Sequence, residues 1–143
     1  MKFKYLLLIL SVLISTSALS QPSNAILGTW KGTSNAAIIG SGTHYSNNNH
    51  EKVDVVFRKV DFIILIDKVD GRNFSGTASS KSYTELIAGA FKKDLKNGVL
   101  VSENGSTTFE LTSPNTLEIC YTQVTPKFIA LPNIASCSEY QKQ

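Results

Sequence analysis

Short turn signals separate a series of β-rich runs along most of this chain, and they constrain its fold more than any other feature. Asp-Gly at 70–71 and Asn-Gly at 97–98 lie between such runs, and further turn residues fill 102–105 and 113–115. These dipeptides between strand-like runs predict tight β-hairpins. Because short links place successive strands side by side, the order predicts an antiparallel meander.

The strand-like runs number about eight. ILGTWKGT, AAIIGSGTHY and KVDVVF precede the hairpin-rich middle, and the tail adds at most one more strand at residues 134–140. An open sheet of this size would leave two exposed edges, whereas closure removes them. The sequence therefore predicts an all-β fold, an antiparallel up-and-down meander β-barrel of about eight strands, with a two-sheet β-sandwich as the alternative.

The run at residues 61–68 shows how side chains are expected to divide between the two faces of a strand. Phe62, Ile64 and Ile66 share one face because side chains alternate with period two. Ile63 and Leu65 lie on the opposite face, so the centre of this strand is apolar on both sides. We expect its outer surface to be covered or used for contact.

The two cysteines of the chain, Cys120 and Cys137, form an even pair near the C-terminus. Their spacing matches no Cys-x-x-Cys ligand motif and no histidine is near them in sequence, which favours a disulfide over a metal pair. A loop of this size would stabilise the fold by about 3 kcal/mol in the chain-entropy description. If Cys120 points outwards with Glu118, the bridge would hold the tail across the outside of the barrel.

The first twenty residues have the layout of a secretory signal peptide. Lys2 and Lys4 form a basic start, residues 5–14 are almost wholly apolar, and small or polar residues follow. The alternative is an uncleaved membrane anchor, but roughly ten apolar residues are short against the ~20 that span a bilayer. We therefore predict a signal peptide at 1–20 and no membrane span after its cleavage.

Small residues place the expected cleavage before Gln21, with a cut after Ala25 as the alternative. The remaining residues, 21–143, are enough for one hydrophobic core, so a single β-barrel domain is predicted. A signal peptide together with a disulfide indicates a secreted or periplasmic protein.

Charge argues against a nucleic-acid partner. Loss of Lys2 and Lys4 lowers the formal net charge from +3 to +1. Nucleic-acid-binding proteins usually carry a basic patch or stripe, and none is visible here. The densest basic stretch, KKDLK at 92–96, is interrupted by Asp94 and is interpreted as a solvated turn.

Both histidines lie in one polar segment, THYSNNNHEK. His44, His50 and Glu51 could supply imidazole and carboxylate groups to a metal or to acid–base chemistry. The asparagines at 47–49 equally suit an exposed polar loop, because asparagine tolerates turn conformations. A metal-dependent enzyme or metal-binding protein is therefore kept only as an alternative function.

No other catalytic arrangement is visible in the sequence. The chain has no G-x-S-x-G elbow, and neither cysteine has a histidine near it. Gly-Ser-Gly at 40–42 lacks the Lys-Ser/Thr and the helix that complete a phosphate-binding loop. The sequence thus predicts no catalytic residue and no cofactor.

Gly28-Thr29-Trp30 at the start of the first predicted strand resembles the Gly-x-Trp signature of lipocalins, and ILGTW is similar to the first strand of the avidin group. The lipocalin resemblance implies that the tryptophan packs across the closed end of the barrel, under a basic side chain from a late strand. Lys127 is the expected partner on this basis. The further tryptophans of the avidin group are absent, so biotin binding is not implied.

A second resemblance extends along most of the chain. IGSGTHY, DGRNFSG and LEICY, followed by a late cysteine, are similar to a pattern in small exported bacterial proteins of unassigned function. Together with the lipocalin and avidin features, this resemblance implies a calycin-like barrel with a disulfide. It implies no activity.

These observations favour an exported, non-enzymatic binding module that holds a small apolar ligand in the barrel or contacts an envelope or extracellular partner. Gly28 and Gly32 flank Trp30 on one strand face, which suits a plug at one end and places the ligand at the opposite, open end. The alternative to a hollow barrel is a solid one, acting as an interaction or inhibitor protein through the outer face of residues 62–68. The expected ligand-binding residues are aromatic: Trp30, Tyr45, Phe62, Phe74, Phe109 and Tyr121.

Overall fold

The computed structural model describes residues 22–39, 55–103, 105–124 and 132–143. Eight strands form one closed barrel in which each strand pairs antiparallel with the next and the last pairs with the first. The predicted up-and-down β-barrel is thus confirmed, and the β-sandwich alternative is wrong. The strands are β1 (Gly28–Ile39), β2 (Val55–Asp70), β3 (Asn73–Ser79), β4 (Thr84–Phe91), β5 (Asn97–Ser102), β6 (Ser106–Ser113), β7 (Thr116–Gln123) and β8 (Asn133–Lys142).

A short 3-10 helix, η1 (Pro22–Ile26), precedes β1. Within the described ranges, no helix is long and apolar enough to cross a membrane. η1, the start of β1 and the end of β8 lie at one end of the barrel, which we call the closed end. The chain leaves β1 at Ile39 and enters β2 at Val55 at the opposite end, which we call the open end.

The first two strands are longer than the sequence predicts. GTWKGT and AAII, parts of two predicted runs, join in β1, and VVF of the third predicted run joins DFIILIDK in β2. The register between β1 and β2 continues without a shift from Gly28↔Ile66 to Ile39↔Val55. Continuous pairing therefore carries the strands through the polar residues that suggested breaks, and the count of eight is reached because the tail supplies β8.

The predicted turns are correct with one exception. Gly71 has a φ of 59°, the left-handed backbone that favours glycine, and it closes the β2–β3 hairpin. Asn97 and Gly98, by contrast, belong to β5 and form no turn. A Cβ atom on Gly98 would lie 2.4 Å from the ring of Phe109, so glycine is required here for close packing rather than for chain reversal.

The chain reverses between β4 and β5 at residues 92–96, the basic stretch interpreted as a solvated turn. The Asp94 carboxylate accepts hydrogen bonds from the backbone N–H groups of Lys96 and Asn97, each at 3.0 Å. These hydrogen bonds, from Asn97 first, lower the pKa of Asp94 to about 2. Asp94 and its flanking lysines are exposed, which confirms the interpretation.

The cysteines form the predicted disulfide, with the two Sγ atoms 2.01 Å apart. Cys120 and Cys137 are directly opposite partners on β7 and β8, and their Cα atoms are 4.0 Å apart. The expectation that the tail lies across the outside of the barrel is wrong. Its alternating Ile134, Ser138 and Tyr140 point inwards and are buried, so the tail forms a wall strand.

Strand β2 confirms the predicted division of its side chains. Ile64 and Ile66 are 4% and 1% exposed and pack in the core, whereas Ile63 and Leu65 are 47% and 42% exposed. The outer face of this strand is therefore open to solvent among the described residues.

We expect Ile64→Ala to lower the free energy of unfolding by about 2–5 kcal/mol, because it removes buried methyl groups and leaves a cavity. Ile63→Ala is the matched control on the next residue, with an expected loss below about 1 kcal/mol that reflects strand preference alone. Urea denaturation of both variants measures the difference. Equal losses would contradict the inward and outward assignment.

Candidate functional site

Trp30 closes one end of the barrel, as its glycine-flanked position predicts. Its side chain is fully buried, and its indole Nε1 donates a 2.8 Å hydrogen bond to the carbonyl oxygen of Ile26 in η1. The side chain of Ile26 is also fully buried. Trp30 therefore ties η1 to the barrel wall across the closed end.

The basic side chain over this tryptophan is Lys142, at the end of β8. Its Nζ lies 5.3 Å from the centroid of the Trp30 ring and donates a 2.7 Å hydrogen bond to the carbonyl oxygen of Ala25. The predicted partner, Lys127, lies outside the described residues. Direct strand pairing of Trp30 with Lys142 positions the cation, and this pairing was not readable from the sequence.

Three phenylalanines fill the closed half of the barrel above Trp30. Phe74, Phe91 and Phe109 pack with ring centroids 5.1–5.7 Å apart in tilted and edge-to-face arrangements. A Cβ atom on Gly89 would lie only 2.1 Å from the ring of Phe74, so glycine makes room for the ring. The closed half is thus a solid aromatic core.

The open half contains a cavity of about 70 Å³. It lies beside a second apolar cluster on strands β1 and β8, formed by Ala36, Ile38 and Ile134. Tyr121 and Tyr140 also face the cavity. Six larger apolar side chains line it: Phe62, Ile64, Ile87, Leu100, Ile119 and Ile134.

The same cavity has a polar portion. Six polar side chains line it: Ser34, Glu85, Ser102, Thr107, Gln123 and Ser136. Ser34 and Thr107 are buried, whereas Glu85, Ser102 and Gln123 are half-buried near the ends of their strands. The Tyr121 hydroxyl donates a 2.9 Å hydrogen bond to Oε1 of Gln123, which fixes the orientation of that amide. The cavity is therefore amphipathic, with apolar depth and hydrogen-bonding groups towards the open end.

Two connections at the open end are joined beside Glu85. The Tyr83 hydroxyl, before β4, donates a 2.8 Å hydrogen bond to Oε2 of Glu103, after β5. That hydrogen bond, followed by the charges of Glu103 and Glu85, raises the pKa of Tyr83. Two carboxylates therefore lie close to this tyrosine, and the rim of the cavity on this side is acidic.

The structure divides the predicted ligand-binding residues into three groups. Phe62 and Tyr121 line the cavity. Trp30, Phe74 and Phe109 pack in the closed half instead. Tyr45 lies outside the described residues, as do the alternative metal ligands His44, His50 and Glu51.

Among the lining residues that the sequence analysis did not predict, Glu85 is the charged one. It shares the inward face of β4 with Ile87 and Phe91, and the alternation of YTELIAGAF places it there. The aromatic pattern that predicted the ligand contacts does not single out a carboxylate two positions before a buried isoleucine.

One group of potential metal ligands occurs among the described residues. Glu118, Cys120 and Cys137 place their ligand atoms within 4.8 Å of one another. The two sulfur atoms are bonded to each other, so neither is the thiolate that a metal requires. A lone carboxylate remains, and the group does not fit a metal.

Apolar residues also mark the outer surface from β2 to β5. Leu65 pairs with Thr77, which pairs with Leu86, and Leu86 is 70% exposed. Val99 and Val101 continue this surface on β5, each about half exposed. We call Ile63, Leu65, Leu86, Val99 and Val101 the outer apolar face.

Comparison with protein-family profiles gives no match for this chain. Comparison with curated protein sequences gives none either. Among solved structures, a redesigned β-barrel superposes with a TM-score of 0.49 and 10% sequence identity, over 89% of this chain and 99% of the design.

We expect Lys142→Met to lower the free energy of unfolding by about 1–3 kcal/mol, because it removes a cation over an indole and a charged hydrogen bond to Ala25. Trp30 is the only tryptophan, so its fluorescence reports on this end directly, and its emission should shift to the red as water gains access. Lys31→Met on the outer surface of β1 is the control and should change neither quantity. Similar effects of the two substitutions would refute a closing role for Lys142.

Proposed function

We propose that this protein is an exported, non-enzymatic binding module that holds a small ligand in the open half of its barrel. The observation that carries this proposal is the amphipathic cavity of about 70 Å³ above the solid aromatic core. Phe62 and Tyr121 are the aromatic ligand contacts. A concave apolar site with a few convergent polar groups is the usual form of a small-molecule site.

The cavity volume limits the ligand. Sites for drug-sized molecules usually enclose about 300–1,000 Å³, several times the space in this barrel. A short apolar group therefore fits inside, and the remainder of a longer molecule would extend through the open end. A long acyl chain folded within the barrel is not compatible with Phe74, Phe91 and Phe109 below the cavity.

Ala78→Leu tests the cavity directly, since Ala78 lines it and the larger side chain would fill it. We expect n-butanol, titrated in NMR experiments, to shift the methyl signals of Ile87, Leu100 and Ile119. Ala78→Leu should weaken binding at least several-fold. Ala88→Leu is the matched control on the outer surface beside Val101 and should leave binding unchanged.

A second cavity variant and two contrary outcomes complete this test of the cavity. If Ala78→Leu does not fold, Ser136→Leu fills the same cavity from the opposite wall. The opposite result would overturn the proposal: if Ala88→Leu weakened n-butanol binding and Ala78→Leu did not, n-butanol would lie on the outer apolar face. The proposal would also be overturned if n-butanol shifted none of these methyl signals at any concentration at which the protein stays folded.

Protein contact through the outer apolar face is the second candidate function. Its support is the exposure of Leu65, Leu86 and Val101, apolar side chains of β2, β4 and β5 on one outer surface of the barrel, with Thr77 of β3 between Leu65 and Leu86. Contiguous exposed apolar surface often marks an interaction site. Its partner in that case would be an envelope or extracellular protein.

Export is proposed from two observations. Residues 1–20 have the signal-peptide layout, and the Cys120–Cys137 disulfide suits an oxidising compartment such as the periplasm or the extracellular space. Packing of η1 also favours one cleavage position over the other. Ser23 and Ile26 are buried, and the Ala25 carbonyl oxygen accepts the hydrogen bond from Lys142, so a cut after Ala25 would remove part of the closed end.

We therefore expect the mature protein to begin at Gln21. Intact mass and N-terminal sequencing of the protein exported by a bacterial host measure the position. A mature chain that begins at Ile26 would contradict the structural role assigned to η1, and a chain that keeps Met1 would contradict export by a cleaved signal.

A further inference from the structure

Strand β2 extends well beyond its pairing with β3. It pairs with β1 from Val55 to Ile66, whereas its pairing with β3 begins only at Ile63↔Ser79, where β3 ends. Among the described residues, no strand therefore pairs with residues 55–61 on the side away from β1. We call residues 55–61 the β2 edge, and in extended conformation they span about 23 Å.

Strand geometry determines which backbone groups point to this edge. The Thr29 carbonyl oxygen accepts a 2.9 Å hydrogen bond from the N–H of Gln143, so Thr29 directs its backbone groups towards β8. Because these groups alternate along a strand, the next residue, Trp30, and its partner Ile64 direct theirs towards each other. The register between β1 and β2 has no shift, so four residues direct their N–H and C=O groups to the β2 edge: Val55, Phe57, Lys59 and Asp61.

A side-chain contact agrees with this assignment. The Arg58 guanidinium donates a 3.2 Å hydrogen bond from Nη1 to the carbonyl oxygen of Phe57. Strand carbonyl groups usually bond to a neighbouring strand, and here a side chain supplies the hydrogen bond instead. Phe57 itself is 77% exposed on the outer surface. The β2 edge thus presents backbone groups and an apolar side chain to solvent.

A groove of about 710 Å³ lies along the same edge. Its lining extends from Lys59, Val60 and Asp61 of the edge to Ile63 and to residues 79–82, the end of β3 and the turn that follows. The groove therefore occupies the place where β3 would continue if it were longer. An added strand would fit there, against β2 and ahead of the end of β3.

Positive charge predominates around this groove. Lys59 and Lys81 line it, and Arg58 is exposed on the same edge. Among the described lining residues the one carboxylate is that of Asp61, which accepts a 2.6 Å hydrogen bond from the hydroxyl of Thr33. An acidic segment is therefore attracted to the β2 edge, and a basic segment is repelled.

We propose that the β2 edge binds an extended acidic peptide segment of a partner protein as an added antiparallel strand. Main-chain hydrogen bonds to alternate residues supply affinity, and the neighbouring side chains supply specificity. An acidic residue of the peptide lies opposite Lys59, and an apolar residue two positions later lies opposite Phe57. The site is separate from the barrel cavity, so this inference does not depend on the ligand proposed there.

A second copy of this chain is a less suitable occupant. Residues from Ile63 onwards already pair with β3, so two copies can pair only through the β2 edge. The longest antiparallel register that matches edge-facing residues with each other is centred on Arg58. It would put Arg58 directly opposite its own copy, and like charges in that position destabilise a sheet.

Three capped, fluorescently labelled peptides test the proposal with the full mature chain. The first is Thr-Val-Glu-Glu-Val-Val-Thr, the second replaces both glutamates with lysine, and the third replaces the fifth residue with proline. That proline removes the N–H that would bond to Phe57 and leaves the charge unchanged. We expect fluorescence anisotropy to give dissociation constants about tenfold higher for both controls than for the first peptide.

Lys59→Glu reverses the charge at the centre of the site. We expect it to weaken binding of the acidic peptide about tenfold and to strengthen binding of the lysine peptide. Lys93→Glu, in the exposed β4–β5 turn at the closed end, makes the same change in net charge and is the matched control. It should leave both dissociation constants within about twofold. Equal effects of the two substitutions would refute a charge-specific site at this edge.

Amide hydrogen exchange, followed by NMR, locates the bound peptide. In the free chain the N–H groups of Phe57, Lys59 and Asp61 should exchange faster than those of Arg58 and Val60, which point to β1, and the acidic peptide should slow them. Slow exchange of the edge-facing groups in the free chain would overturn the proposal, because the edge would already be covered. Equal binding of the proline peptide would also overturn it, as would slowing that depends on protein concentration alone, since a second copy would then occupy the edge.

Discussion

Pairing of β1 with β8 is the constraint on which the rest of this structure depends. Every other strand pairs with its neighbour in sequence, but closure brings together Trp30 and Lys142, residues more than a hundred positions apart. Such long-range pairing carries the largest loop-closure cost in the fold. The Cys120–Cys137 bridge fixes the register of β8 against β7, so the strand that must reach β1 is already held in the sheet.

In the closed barrel, the size of the inward-facing side chains determines which part of the interior is filled. An eight-stranded barrel has an interior that ordinary side chains can fill. In the closed half the inward positions are aromatic, and glycine at Gly89 and Gly98 gives two of those rings their room. In the open half the inward positions include Ala78, Ser102 and Ser136, whose small side chains cannot meet across the interior. The cavity is thus a direct consequence of sequence.

Alternation and turn chemistry were enough to predict the barrel, the inward face of β2 and the closing role of Trp30. The same patterns gave wrong predictions where a residue that is typical of turns is required for tertiary packing instead. Gly98 looks like a turn glycine, yet it makes space for Phe109, and Leu95 adopts the left-handed backbone (φ 56°) within the true turn. The cation over Trp30 could not be chosen from sequence either, because register decides which basic residue reaches the indole.

Glu85 illustrates a different kind of failure. Its place on the inward face follows from simple alternation with Ile87, so the sequence contains the information. It was missed because a glutamate in a strand is ordinarily explained by solubility, which holds for Glu110 on the exposed face of β6. A sequence normally agrees with its fold at every level, and residues that break a local rule concentrate at functional sites. A carboxylate in a barrel wall with an open cavity beside it breaks such a rule, and its position agrees with the ligand site proposed at the open end of the barrel.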